Sequence, residues 1–203
     1  MEAVCQDVEL LVPPPSIPRG KGVHVSGIIR DIALSTGVLK SDGIEEPSMS
    51  DVRMITDPVA ILRICIGLSW EEYYLGVFLK RKGILKHPGE ICVDGIYMQP
   101  DGVERGVMIT RVHEVKATYK SINTVGDMRG QWLWLTQVKA YCKGLNTTYA
   151  KIHVLFLCGD YKMPIRPMVK EWTLEFTQHE IDDNWAMLRD YRDYREGRCI
   201  SQI

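Results

Sequence analysis

The sequence predicts a single α/β domain of the α+β type, a mixed sheet flanked by helices, on three observations. Apolar residues recur at helical intervals around residues 69–82 and 128–144, and strand-like apolar runs occupy 91–98, 107–115 and 152–158. The middle of the chain therefore reads helix, strand, strand, helix, strand. Composition agrees: 203 residues, 45% hydrophobic and 25% charged, are ordinary values for one globular domain and exclude disorder, collagen and coiled coil.

A chain of this length buries roughly two-thirds of its unfolded surface, so its core needs no metal or disulfide staple. The longest apolar stretches, such as Val154 to Cys158, are far short of the roughly 18 residues of a membrane span. The first 15 residues carry Glu2, Asp7 and Glu9 and no Lys or Arg, unlike the basic start of a signal peptide. The expectation is a cytoplasmic protein with no membrane partner. Six scattered cysteines without a CxxC point to reduced, mostly buried thiols.

The elements follow from local signals. VPPPSIPRG (12–20) is too rich in proline for a helix or central strand and reads as an extended arm. Val25 to Leu34 reads as a short helix with Ser26 as N-cap, and Ser35 to Asp57 as a loop. Ser69 and Glu72 have capping-box spacing, which predicts a helix over 69–82 closed by Gly83. Ile91 to Met98 and Val107 to Val115 read as an antiparallel hairpin joined through Gln99 to Gly106. A helix over 128–144 stops at Gly144, a strand covers 152–158 and another 172–176, and Thr177 with Glu180 caps a last helix bearing Ile181, Trp185, Leu188 and Tyr191. Residues 1–60 form an arm, short helix and loop, and 61–203 the core, within one structural domain.

Charge is nearly balanced, 25 basic against 26 acidic, but residues 61–151 hold 13 basic and 8 acidic residues, leaving +5. A basic middle hints at a polyanionic ligand, although a solvated mixed-charge face gives the same count. Asp94 sits in the apolar setting ICVDGIY, and the following strand ends His113-Glu114-Val115-Lys116. Period-two alternation places Val112, Glu114 and Lys116 on one face and Val115 on the other. Two carboxylates converging there suit a hard divalent cation, and a lysine beside them can position water or offset charge on a phosphate. The plain alternative is an ion pair between Glu114 and Lys116, with Asp94-Gly95 as turn chemistry.

Asp94, then Glu114-Val115-Lys116, then Gln137-Val138-Lys139-Ala140-Tyr141 resembles the PD-(D/E)XK nuclease superfamily. The likeness is to its branch of RecB-type domains and phage lambda-type exonucleases, marked by a GxxD-like strand, a (D/E)xK strand and a QxxxY helix. It covers about Gly67 to Gly159. It implies a restriction-endonuclease-like core in which Asp94 and Glu114 ligate Mg²⁺ or Mn²⁺, joined by the Val115 carbonyl, while Lys116 positions or activates water. Glu71, in the GxxxE segment Gly67 to Glu71, is the implied helix acid; Glu72 is the weaker choice. Gln137 and Tyr141 would hold substrate and site together. The iron-sulfur cysteines of some relatives are not matched, so no cluster is expected.

Lys80, Arg81, Lys82, Lys120, Arg129, Lys139 and Lys143 supply a candidate phosphate track, with Lys120, Arg129 and Lys139 the chosen substrate contacts. Trp132 and Trp134 are candidates for base stacking or for core. The resulting expectation is a metal-dependent DNase with little sequence preference, an exonuclease of phage-like DNA recombination or processing. Its partners would be DNA, a recombination protein and, as in ring-forming relatives, further copies of itself. A structure-selective endonuclease and a catalytically silent DNA-end or junction binder are the alternatives.

Overall fold

The computed structural model describes residues 22–38, 58–86 and 88–197. The arm at 12–20 and most of the predicted loop, 39–57, lie outside them. A two-residue strand β1 (Val23–His24) leads into helix α1 (Val25–Ser35), as predicted, but His24 rather than Ser26 occupies the N-cap position, and without a side-chain cap.

Helix α2 (Pro58–Tyr73) continues through a π-helical turn (Tyr74–Leu79) and a 3₁₀ turn (Lys80–Lys82) to Gly83. Gly83 ends it at φ 75°, its N–H donating to the Lys80 carbonyl, as the sequence predicts. The predicted start at Ser69 is wrong. Pro58 suits a first helical turn, and because α2 is apolar nearly all round it has no periodicity to announce it before residue 69.

The strands pair differently from expectation. β3 (Ile91–Val93) and β4 (Ile96–Met98) form their own hairpin, turning at Asp94-Gly95, where both residues have positive φ (50° and 78°). That is the geometry of a primed two-residue turn, for which Asp-Gly is a strong signal. β4 also pairs in parallel with β1, giving a small sheet ordered β1-β4-β3.

The main sheet runs β2-β5-β6-β7-β8. Its members are β2 (Leu85–Lys86), β5 (Gly102–Arg105), β6 (Thr110–Thr118), β7 (Tyr149–Phe156) and β8 (Met168–Glu175). β5 and β6 are antiparallel with Gly102 opposite His113, so their turn is Gly106 to Ile109, not Gln99 to Gly106. β6 and β7 are parallel, joined through the short helix α3 (Ile122–Val125) and helix α4 (Trp132–Leu145).

α4 passes through the predicted stop at Gly144 and ends at Asn146 in the left-handed region (φ 50°). Gly144 instead admits the close approach of Met98, which a Cβ there would strike. Helix α5 (Gln178–Arg195) begins with the predicted Thr177/Glu180 capping box and buries Ile181, Trp185 and Leu188. No helix among the described residues is long and apolar enough to cross a membrane.

Helix α4 packs on one face of the main sheet with α1 and α5 against it, and Val112, Ala150, Ile152, Val154 and Phe156 join the larger core there. Tyr74, Leu75, Leu79 and Ile84 pack with Val115 on the other face. Period-two alternation along β6 thus holds as predicted, and it sends Glu114 toward the α4 side.

Candidate active site

The register of β5 and β6, continued one residue past Gly102 and His113, sets Asp101 across from Glu114. The backbone N–H of Val115 donates to Asp101 Oδ2 at 2.8 Å, which locks the carboxylate against the strand. Glu114 is completely buried, flanked on its face by Val112 and, from β7, by Ile152 and Val154. Neither of its carboxylate oxygens accepts a properly directed hydrogen bond. The Lys116 ammonium makes an ion-pair contact with its Oε1.

Helix α4 completes the arrangement. Lys116 Nζ donates to Gln137 Oε1 at 3.1 Å, and Gln137 Nε2 donates to the Tyr141 hydroxyl at 2.6 Å. Residues four apart on a helix share a face, so one side of α4 presents both members of the chain to β6.

These carboxyls perturb one another. Burial first, then the negative charges of Glu114 and Glu71, push Asp101 well above the usual carboxylate range, although Lys116 and the Val115 N–H act the other way. Burial alone would lower the pKa of Lys116, but Glu114 and Asp101 outweigh it, with a smaller contribution from Glu71, and hold it raised. Lys116 is therefore an ammonium at neutral pH. Glu71 is the α2 acid whose field reaches this cluster, whereas Glu72 is solvent-exposed.

Asp94 is not gathered with Glu114. At the tip of the β3–β4 turn, in the smaller sheet, its Oδ2 accepts from Trp185 Nε1 at 2.8 Å and its carbonyl accepts from Arg192, both on α5. The sequence points to Asp94 of the first Asp-Gly as the site acid, whereas the structure sets Asp101 of the second opposite Glu114. The missed signal was the turn itself: with Asp94-Gly95 assigned to a two-residue hairpin, the next acid, Asp101, leads into the strand that pairs with Glu114.

The predicted substrate contacts divide in the same way. Lys120 lies two residues beyond the end of β6, its ammonium 6.0 Å from the centre of the Trp134 ring. Lys139 and Arg129 line a cleft of about 360 Å³ with Glu180 and Asp183 on the α5 side. Two helical positions from Gln137, Lys139 is turned roughly 200° away from the site. It stands 3.9 Å from Glu180 and over the Phe176 ring, while Lys143 pairs with Asp182 at 2.7 Å. Trp132 and Trp134 are partly buried against the core.

The donors at Asp101 and Glu114 are hard oxygens, and the buried, poorly satisfied Glu114 beside a carboxyl pushed toward its neutral form is the imbalance a divalent cation would relieve. Among the described residues no group of three or more His, Cys, Asp or Glu side chains could by itself enclose a metal ion. Mg²⁺ binds commonly through one or two carboxylates and retained waters, so the donor set fits it. On the reverse face of β6 lies a buried polar chain that sequence reasoning did not pick out. His113 and His153 stack at an interplanar angle of 8° and are hydrogen-bonded at 2.9 Å, with Tyr74 3.1 Å beyond His153 and Glu104 3.3 Å beyond His113.

By sequence, neither a protein-family profile nor a curated protein matches the chain. By structure it is similar to the alkaline exonuclease LHK-Exo from Laribacter hongkongensis, free and in complex with dAMP. In both cases the TM-score is 0.54 at 13% identity, over 87% of this chain and 88% of that one. The chain shares the fold of LHK-Exo. It is also similar to the crystal structure of SSO0001, with a TM-score of 0.50 at 14% identity, over 93% of this chain and 82% of the other. The likeness to LHK-Exo spans nearly the whole of both molecules, so the shared fold extends beyond the segment, Gly67 to Gly159, that carries the motifs.

Proposed function

We propose that the protein is a divalent-metal-dependent deoxyribonuclease, an exonuclease with little sequence preference. Its site residues would be Asp101, Glu114, Lys116 and Glu71, with the Val115 carbonyl, Gln137 and Tyr141 in support. The observation that carries this reading is the buried Glu114 opposite Asp101 and in contact with Lys116, on a fold shared with an enzyme described as an alkaline exonuclease.

Asp101 and Glu114 would hold Mg²⁺ or Mn²⁺, which when bound supplies Lewis acidity at the phosphate and lowers the pKa of water. Glu71 adds negative charge that favours cation binding. Lys116, held cationic by its acidic neighbours, orients the attacking water and offsets negative charge growing on the phosphate oxygens rather than removing a proton. Gln137 fixes the ammonium, and Tyr141 fixes Gln137, so Lys116 does not have to be immobilised during the reaction.

The test is degradation of end-labelled linear duplex, single-stranded and closed circular DNA with Mg²⁺, Mn²⁺ or EDTA, by wild type, Glu114→Gln and Lys116→Met. Metal-dependent loss of linear DNA alone, abolished in both variants, is expected. Cutting of circles would replace the exonuclease by an endonuclease, activity surviving both substitutions would remove the site, and tight binding without cleavage would leave a DNA-end binder.

A further inference from the structure

The loop joining β7 to β8 presents apolar side chains to solvent beside the candidate site. Met163 is 83% exposed, Tyr161 52% and Ile165 50%. The first half of the loop is held by three hydrogen bonds, two of them to neighbouring segments. The Ile122 N–H donates to the Gly159 carbonyl at 3.0 Å, the Lys162 N–H donates to Asp160 Oδ1 at 3.0 Å, and the Tyr161 hydroxyl donates to the Tyr119 carbonyl. Tyr161 itself adopts the left-handed backbone region at φ 64°, which for a non-glycine residue costs on the order of 1 kcal/mol.

The anchoring point matters. Tyr119 follows Lys116 by three residues, roughly 10 Å along an extended strand, or about three base-pair steps of DNA. The surroundings are basic: residues 158–170 contain Lys162, Arg166 and Lys170 against Asp160 alone. Lys162 is 3.7 Å from Asp160. Arg63 lies over the Tyr119 ring and Lys120 over Trp134, adding two cations at this end of β6. Exposed apolar and aromatic groups interleaved with cations are what a nucleic-acid strand is suited to cover, bases on the former and phosphates on the latter.

We propose that this loop is a second DNA contact, in which Tyr161, Met163 and Ile165 pack against bases of the strand next to the scissile bond while Lys162 and Arg166 take its phosphates. The proposal rests on the nuclease reading for its substrate, and its test is independent of cleavage.

Binding of a dye-labelled single-stranded oligonucleotide, and of the same oligonucleotide made abasic over its central positions, is measured by fluorescence anisotropy in EDTA. The double variant Met163→Ala, Ile165→Ala is expected to bind the normal strand about tenfold more weakly and the abasic strand as wild type does, because only the first offers base faces against which these apolar side chains are buried. Met163→Leu, Ile165→Met should restore binding. Lys162→Ala with Arg166→Ala should weaken binding to both strands and reduce the salt slope by about 1.4.

Unchanged binding in both alanine variants overturns the proposal, and a changed sedimentation coefficient in the first would assign the surface to a second copy of the chain. Equal losses on normal and abasic strands by the first variant also overturn the base contact. If the alanine variants lose binding as expected but the wild type hydrolyses no DNA with Mg²⁺ or Mn²⁺, the nuclease reading falls while the loop contact stands. If cleavage is intact and loop variants bind normally, the reverse holds.

Discussion

The Val115 N–H donates to Asp101 Oδ2 at 2.8 Å, so a backbone bond from the strand that carries Glu114 fixes the position of the acid opposite it. The carboxylate is oriented before any ion or substrate arrives. Rigid first contacts of this kind preserve the geometry a reaction needs.

Asp101→Asn keeps the size of the side chain and removes its charge. It should lower the rate of DNA hydrolysis at least about 10²-fold. Asp94→Asn, in contrast, should leave kcat close to wild type and cost about 1–3 kcal/mol of stability through the weakened bond from Trp185. Paired nuclease assays and thermal melts of the two variants check this, and the opposite pattern would return the site to Asp94.

The chain from Tyr141 through Gln137 to Lys116 positions an ammonium. Gln137→Leu is expected to reduce kcat about 10–100-fold with little change in KM, since the lysine remains but is no longer held. Tyr141→Phe should have the smaller effect because it removes one step further from Lys116. Steady-state kinetics on a short labelled duplex separates the two parameters.

His113 should make the fold sensitive to acid. Burial holds its pKa below the ordinary value near 6.5, partly opposed by Glu104. On acidification the unfolded chain therefore binds its proton before the native state does, so this contribution is complete above about pH 6.5 and declines below it. The melting temperature should fall between pH 7.5 and pH 5, and His113→Asn, though less stable throughout, should flatten that part of the profile.

Gly159 has φ 53°, and a Cβ on it would strike the Arg166 carbonyl oxygen across the β7–β8 loop. Gly159→Ala should cost about 1–3 kcal/mol. At about 2–4 °C per kcal/mol for a chain of this size, a thermal melt resolves the loss.

Much of this site was legible because it is built from short-range regularities. Glu114 and Lys116 share a face through the two-residue period of a strand, and Gln137 and Tyr141 through the four-residue spacing of a helix. The capping box at Thr177 and Glu180 and the helix end at Gly83 are likewise local, and both stand where the sequence put them. What misled was the hairpin. Two Asp-Gly pairs seven residues apart carry the same local signal, and either can turn a chain.

The sequence by itself determined the α/β class, the strand bearing Glu114 and Lys116, and the helix that answers it. Only the tertiary structure decided that Asp94 belongs to a turn held by Trp185 while Asp101 faces Glu114, and that Lys139 points away toward α5. It alone joined His113 to His153 across forty residues and set the β7–β8 loop at the end of β6. The physical reason is that periodicity is a property of neighbouring residues. Strand pairing and register are chosen by burial summed over the whole sheet, and that sum exists only once distant segments meet.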